Sequence, residues 1–103
     1  MRKDHYNEDR TKRILSAQRV RVLRALLDES TLSADPILRK EETLGSDEYL
    51  TILYELHHVL LPELADTRLI EFDRFEDEIR RGRRFDEVRR FLEQIADGHD
   101  NLN

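Results

Sequence analysis

The chain has no cysteine, no tryptophan, only three glycines and two prolines, and among its 18 cationic residues only three lysines. Without cysteine there is no disulfide, no thiolate metal centre and no thiol nucleophile. No Gly-rich phosphate loop and no nucleophile motif occurs, so no catalytic residue and no cofactor is expected. His57 and His58 are neighbours; on a helix they project about 100° apart and cannot chelate one metal as an i, i+4 pair would. No run approaches the roughly 20 apolar residues of a membrane helix. The opening MRKDHYNEDRTKR has no apolar core of a signal peptide. A cytoplasmic protein without a membrane partner is the expectation.

What is present is charge. Of 103 residues, 40% are charged and 38% apolar, which suits one domain with a small core. Fifteen cations are arginine, and 23 residues are Asp or Glu. An acidic, Lys-poor surface fits a proteome adapted to high salt, and G+C-rich coding gives the same arginine bias. The charge is segregated: residues 1–24 carry net +5, residues 25–79 net −11, residues 80–90 net +4 and residues 91–103 net −3. Such asymmetry bears on partners and solubility rather than fold.

Hydrophobic spacing predicts the elements. Residues 1–12 read as a flexible charged arm. A helix is expected from Ser16 as N-cap, with Leu15 and Val20 as a staple and Val20, Leu23 and Leu27 as one face, with Val22 and Leu26 beside it. It should end near Glu29. Asp35-Pro36 predicts a short second helix to Thr43. Ser46 should cap a third, long helix to Asp66, bent at Pro62. At Leu69–Phe72 the period changes from helix to strand; Arg74–Asp77 turn the chain, and Glu78-Ile79-Arg80 pair back. Gly82 breaks the return strand. A last helix runs from Phe85 to Ala96, with Gly98 as its stop and a disordered tail over 99–103. Helix, corner, strand and Arg-rich return are the layout of a winged helix-turn-helix: mainly α with a small β-hairpin and an extra C-terminal helix. Residues 13–81 would form the winged-helix domain and 82–98 the extra helix. That helix is a candidate dimerisation element through Val88, Phe91, Leu92 and Ile95.

Over about eighteen residues the chain resembles a family of small, uncharacterised winged-helix proteins of halophilic archaea and their viruses. The family signature runs Leu-Tyr-His-x-His-Leu-Pro-Lys-Leu-Ala-Asp-x-Gly-Val-Val-x-Tyr. It is met at Leu56, His58, Leu61, Pro62, Leu64, Ala65 and Asp66, with Leu69, Ile70 and Phe72 in place of Val-Val and Tyr. The resemblance implies the fold and, by analogy, DNA binding. His57, Leu60, Glu63 and Arg68 depart from the pattern. Arg68 stands where the family has glycine, a substitution that costs about 1 kcal/mol if the corner needs positive φ.

The expected function is a DNA-binding transcriptional regulator on double-stranded DNA, acting as a homodimer. Arg80, Arg81, Arg83 and Arg84 would make the wing's phosphate or minor-groove contacts, since guanidinium suits both. Arg19 and Arg21 would add backbone contacts, and Tyr54, His57 and His58 would face the groove. Against this, Ser46 to Asp66 holds no Lys or Arg and five carboxylates, an unfavourable charge for a helix between phosphate strands. The alternative is a protein-interaction or adaptor module with a protein partner. The two separate on whether the cations of the first helix and the wing share a face.

Overall fold

The computed structural model describes the backbone of residues 8–101 and the side-chain surroundings of residues 9–94. In chain order it holds α1 (Glu8–Asp28), β1 (Thr31–Ser33), α2 (Ser46–Glu55), a π-helical turn (Leu56–Leu60), α3 (Leu61–Asp66), β2 (Ile70–Asp73), β3 (Glu78–Arg81) and α4 (Asp86–Asn101). The strands form one antiparallel sheet in the order β1-β3-β2, with Leu32 opposite Ile79 and Phe72 opposite Ile79 on the other side. The result is a small, mainly α domain with a short hairpin, in general accord with a winged-helix-like topology. Among the described residues no helix is long and apolar enough to cross a membrane.

The core gathers Val22 and Leu26 of α1, Leu56, Leu60, Leu61 and Leu64 around the π-turn, Ile70 and Ile79 of the sheet, and Phe85 and Leu92. Burying such side chains contributes about 1.5–3 kcal/mol each.

Helix α1 begins at Glu8, so Ser16 lies inside it rather than capping it, and residues 8–12 belong to the helix rather than to an arm. Residues 1–7 lie outside the described part. The buried residues of α1 are Thr11, Ile14, Gln18, Val22, Leu23 and Leu26, with Leu27 packed against the core, while Val20 is exposed. Spacings of three and four make this one helix face. Two of its members, Thr11 and Gln18, are polar, which is why apolar spacing alone gives a late start; of the expected apolar positions only Val20 is exposed.

The expected second helix is absent. Residues 36–45 are irregular apart from one turn, closed by the Glu42 amide donating to the Arg39 carbonyl at 3.0 Å. Their backbone groups are satisfied by side chains instead. The Gln18 amide oxygen accepts from Ile37 N–H at 2.7 Å, and its nitrogen donates to Ile37 C=O at 3.0 Å. Arg21 donates to the same carbonyl at 2.8 Å, and Glu42 accepts from the Arg39 N–H at 2.8 Å. Buried backbone groups need partners, and α1 supplies them before a helix can.

Helix α2 is capped at Gly45, one residue earlier than expected. The Glu48 side chain reaches back to the Gly45 N–H at 3.0 Å. Glu48 is buried and also meets Arg10 at 2.8 Å and the Thr11 hydroxyl at 3.3 Å, tying α2 to α1. Pro62 has no N–H for the His58 carbonyl. The chain accommodates it with the π-turn, in which Leu61 N–H bonds the Leu56 carbonyl five residues back.

The corner after α3 is a Schellman motif. Leu69 N–H bonds Leu64 C=O at 3.2 Å and Arg68 N–H bonds Ala65 C=O at 3.0 Å, with Arg68 at φ 68°. The positive φ anticipated at this position is present, and an arginine occupies it. Gly82 crosses the same corner. A Cβ there would lie 2.2 Å from the Arg68 oxygen and 2.7 Å from the Ile70 nitrogen. The hairpin turns through Arg74–Asp77, with Asp73 Oδ1 accepting from Phe75 N–H at 3.0 Å and Glu76 N–H at 3.1 Å. Helix α4 runs on to Asn101, through Gly98 rather than stopping there. An interior glycine weakens a helix by about 1 kcal/mol without ending it.

Arg68→Gly is expected to stabilise the fold by about 1 kcal/mol through relief of the left-handed conformation. Gly82→Ala is expected to cost about 1–3 kcal/mol, because backbone must move. Urea melts of the two variants check both signs. Gln18→Leu removes both bonds to Ile37 and should cost about 1–3 kcal/mol. Hydrogen exchange should report selective loss of protection at the Ile37 amide.

Candidate interaction surfaces

The outer face of α2 carries Asp47, Leu50, Thr51, Tyr54 and, beyond it, His58, at spacings of three and four. Leu50 is 59% exposed and Tyr54 61%. The Tyr54 and His58 rings lie 4.3 Å apart, centroid to centroid, so Tyr54 is held in place while open to solvent. Val59 is exposed beside them. His57 turns the other way. Its Nε2 lies 2.6 Å from the Ala34 carbonyl, which requires a protonated Nε2, and its ring meets Phe72 edge-on at 5.5 Å. His57 therefore fastens the end of β1 to the long helix and does not face out with Tyr54 and His58.

The wing cations have partners within the chain. Arg80 lies 2.8 Å from Glu78 and 3.8 Å from both Glu71 and Asp73, so one guanidinium faces three carboxylates. Arg81 donates to the Leu26 carbonyl at 2.6 Å and the Leu27 carbonyl at 3.2 Å. That is a cation on the negative end of α1. Arg84 makes a bidentate pair with Glu87 at 2.9 and 2.7 Å, which holds the Glu87 carboxyl below its ordinary range. Of the four, Arg83 alone is exposed without an ion pair or hydrogen bond. It rims a shallow depression with Arg68 and Glu71.

The two cations assigned to α1 diverge. Arg19 reaches Glu63 of α3 at 2.9 Å. Arg21 reaches Glu42 on the opposite flank, at 2.7 and 2.8 Å through both guanidinium nitrogens. Arg19, Arg21 and the wing arginines thus do not form one cationic face. Arg21 and Glu42 are both more than four-fifths buried. The Arg21 guanidinium and the Arg39 N–H together hold the Glu42 carboxyl down to about 2.

Arg84-x-x-Glu87 and the acidic partners of Arg80 across the hairpin are visible as local spacings. The pairs of Arg19, Arg21 and Arg81 join residues 21 to 55 positions apart and leave no local signal.

Of the four residues assigned to dimerisation, Leu92 is buried in its own chain's core and Val88 packs partly against it. Phe91 is 61% exposed. The Ile95 side chain lies outside the described residues. Phe75 is fully open at the wing tip. Among the described residues no three His, Asp or Glu side chains converge as a metal site requires.

Comparison with family models, with curated proteins and with solved structures found no match for this chain.

Because Glu42 is depressed in the fold, its stabilisation is present above its ordinary value of 4.5 and is lost as pH falls toward about 2. Wild-type stability should decline through that window. Glu42→Gln should be less stable at neutral pH and show a flatter profile. Urea midpoints between pH 6 and 2.5 check this.

Proposed function

We propose that this chain is a winged helix-turn-helix-type module that docks another protein on the outer face of α2, and does not read duplex DNA with it. The observation that carries the proposal is the pairing of exposed Leu50 and Tyr54 on a helix without a single cation. Apolar and aromatic groups flanked by charge are the composition of protein interfaces. A groove-reading helix needs donors for base edges and cations for phosphates. Here Asp47 and Glu55 flank the apolar centre, so the fitting partner surface is apolar and basic.

The internal pairs of Arg19, Arg21, Arg80, Arg81 and Arg84 support the same reading. Each would have to leave a carboxylate or a helix end to meet a phosphate. The resemblance of residues 56–72 to the haloarchaeal winged-helix signature supports the frame, and a family with no assigned activity is compatible with either partner. Phe91 on α4 leaves room for a second copy there, with Leu92 and Val88 holding the helix to its own domain.

Fluorescence anisotropy with mixed-sequence duplex across a salt series tests the proposal. No salt-dependent binding is expected for the folded wild type, even at low salt. Binding that weakens steeply with salt and is lost on Arg80→Ala/Arg83→Ala would overturn it in favour of a wing-led DNA regulator.

A further inference from the structure

The absence of the expected second helix leaves a groove between α1 and residues 36–42. Two adjoining depressions of about 680 and 390 Å³ share Arg21 and Arg39 as lining residues. Between Arg13 and Asp28 alone, their walls follow α1 for fifteen residue steps, about 22 Å of helix. That length matches an extended peptide of about seven residues.

The groove has the opposite sign to the rest of the molecule. Six cationic side chains line it against three carboxylates, in a chain of net charge −5. The Arg21–Glu42 pair is internal and ties α1 to residues 36–42 where the two depressions meet. Lys12, Arg13, Arg24 and Arg39 are exposed on its rim and carry no ion pair among the described residues. The floor is apolar, from Ile14, Ala17, Leu27, Ile37 and Leu38.

We propose that this groove is a docking site for an extended, acidic segment of a partner protein whose apolar side chains alternate with its carboxylates. Successive side chains of an extended peptide point to opposite sides. One set would enter the apolar floor, while the other meets the rim cations, where guanidinium favours carboxylate. A plain polyanion would leave the floor unfilled, and a basic peptide would be repelled by the rim. This site is separate from the α2 face and does not rest on that reading.

The test uses fluorescein-labelled heptapeptides and the whole chain. A peptide alternating Leu and Glu should bind. Peptides alternating Leu with Lys, or Ser with Glu, should bind at least about tenfold more weakly, a difference of 1.4 kcal/mol. Arg13→Glu/Arg39→Glu should weaken the first peptide by about tenfold or more. Arg83→Glu/Arg90→Glu makes the same change in net charge away from the groove and should leave binding unchanged. Leu50→Ser/Tyr54→Ser should also leave it unchanged, which separates this site from the α2 face. Circular dichroism establishes that each variant is folded. Equal binding of all three peptides, equal loss in both charge-reversal variants, or no binding of the Leu–Glu peptide would overturn the proposal.

Discussion

Gln18 is the residue on which the layout of this domain turns. It is fully buried, and its carboxamide engages both the N–H and the C=O of Ile37. A side-chain amide used this way substitutes for a neighbouring strand. Leaving either backbone group unpaired in the interior would cost about 1–3 kcal/mol, so the carboxamide holds Ile37 extended beside α1. A helix starting at Pro36 would need the Ile37 carbonyl for its own ladder, while the Ile37 N–H would lie in its first turn without a ladder partner. The chain cannot satisfy both, and α1 prevails because Arg21 adds a third bond to the same carbonyl. The groove between α1 and residues 36–42 is the direct result.

The dense surface charge resolves into a set of specific pairs. Along the sequence the chain reads as two basic ends around an acidic middle, but folding sets the ends against the middle. Arg10 meets Glu48, Arg19 meets Glu63, Arg21 meets Glu42, and Arg80 meets the carboxylates of its own hairpin. The exposed pairs contribute little, about 0–1 kcal/mol each, and salt screens them further. An arginine in such a pair exchanges one anion for another at little cost, whereas Arg21 and Arg81 are held by part-buried bonds to Glu42 and to the carbonyls ending α1. The pairs of Glu48 and Glu42 differ, because burial makes each carboxylate dependent on its partner. Removing one member strands the other, which fixes how α2 and the 36–42 segment sit on α1.

These physical causes separate what was legible in the sequence from what was not. The helix-to-strand corner, the hairpin turn, the strand break at Gly82 and the left-handed requirement at Arg68 were legible because each is settled within a few residues. The run of Leu56, Leu60, Leu61 and Leu64 was legible because a helix face has a fixed period. The second helix was misread for the converse reason: Asp35-Pro36 is a sound local start signal, but the competing partners, Gln18 and Arg21, sit almost twenty residues away. The start of α1 was misplaced because Thr11 and Gln18, two of its buried residues, are polar. At the candidate surfaces, the acidic character of α2 was plain, whereas the capture of Arg81 by carbonyls at the end of α1 could not be read from RRGRR. A run of arginines shows how many cations there are and not where they point.

The two open surfaces carry opposite charge, and this bears on what kind of protein the chain can be. A DNA-reading winged helix concentrates cations where its long helix and wing converge. In this chain that region holds Asp47, Leu50, Tyr54 and a wing in which Arg80, Arg81 and Arg84 are engaged, while Arg74 and Arg83 of the wing and Lys12, Arg13 and Arg24 of α1 carry no ion pair among the described residues. Duplex laid across α2 would meet carboxylates and an unsatisfied apolar stripe. Duplex laid across α1 would meet the rim cations but leave the apolar floor of the groove unfilled. Polypeptide partners suffer neither penalty. They supply apolar groups for both faces, with basic residues beside α2 and acidic ones beside α1. The separation of sign also orients the domain, since each face repels the partner suited to the other. On the proposed reading, a small domain with two faces of opposite preference would meet the physical requirements of an adaptor.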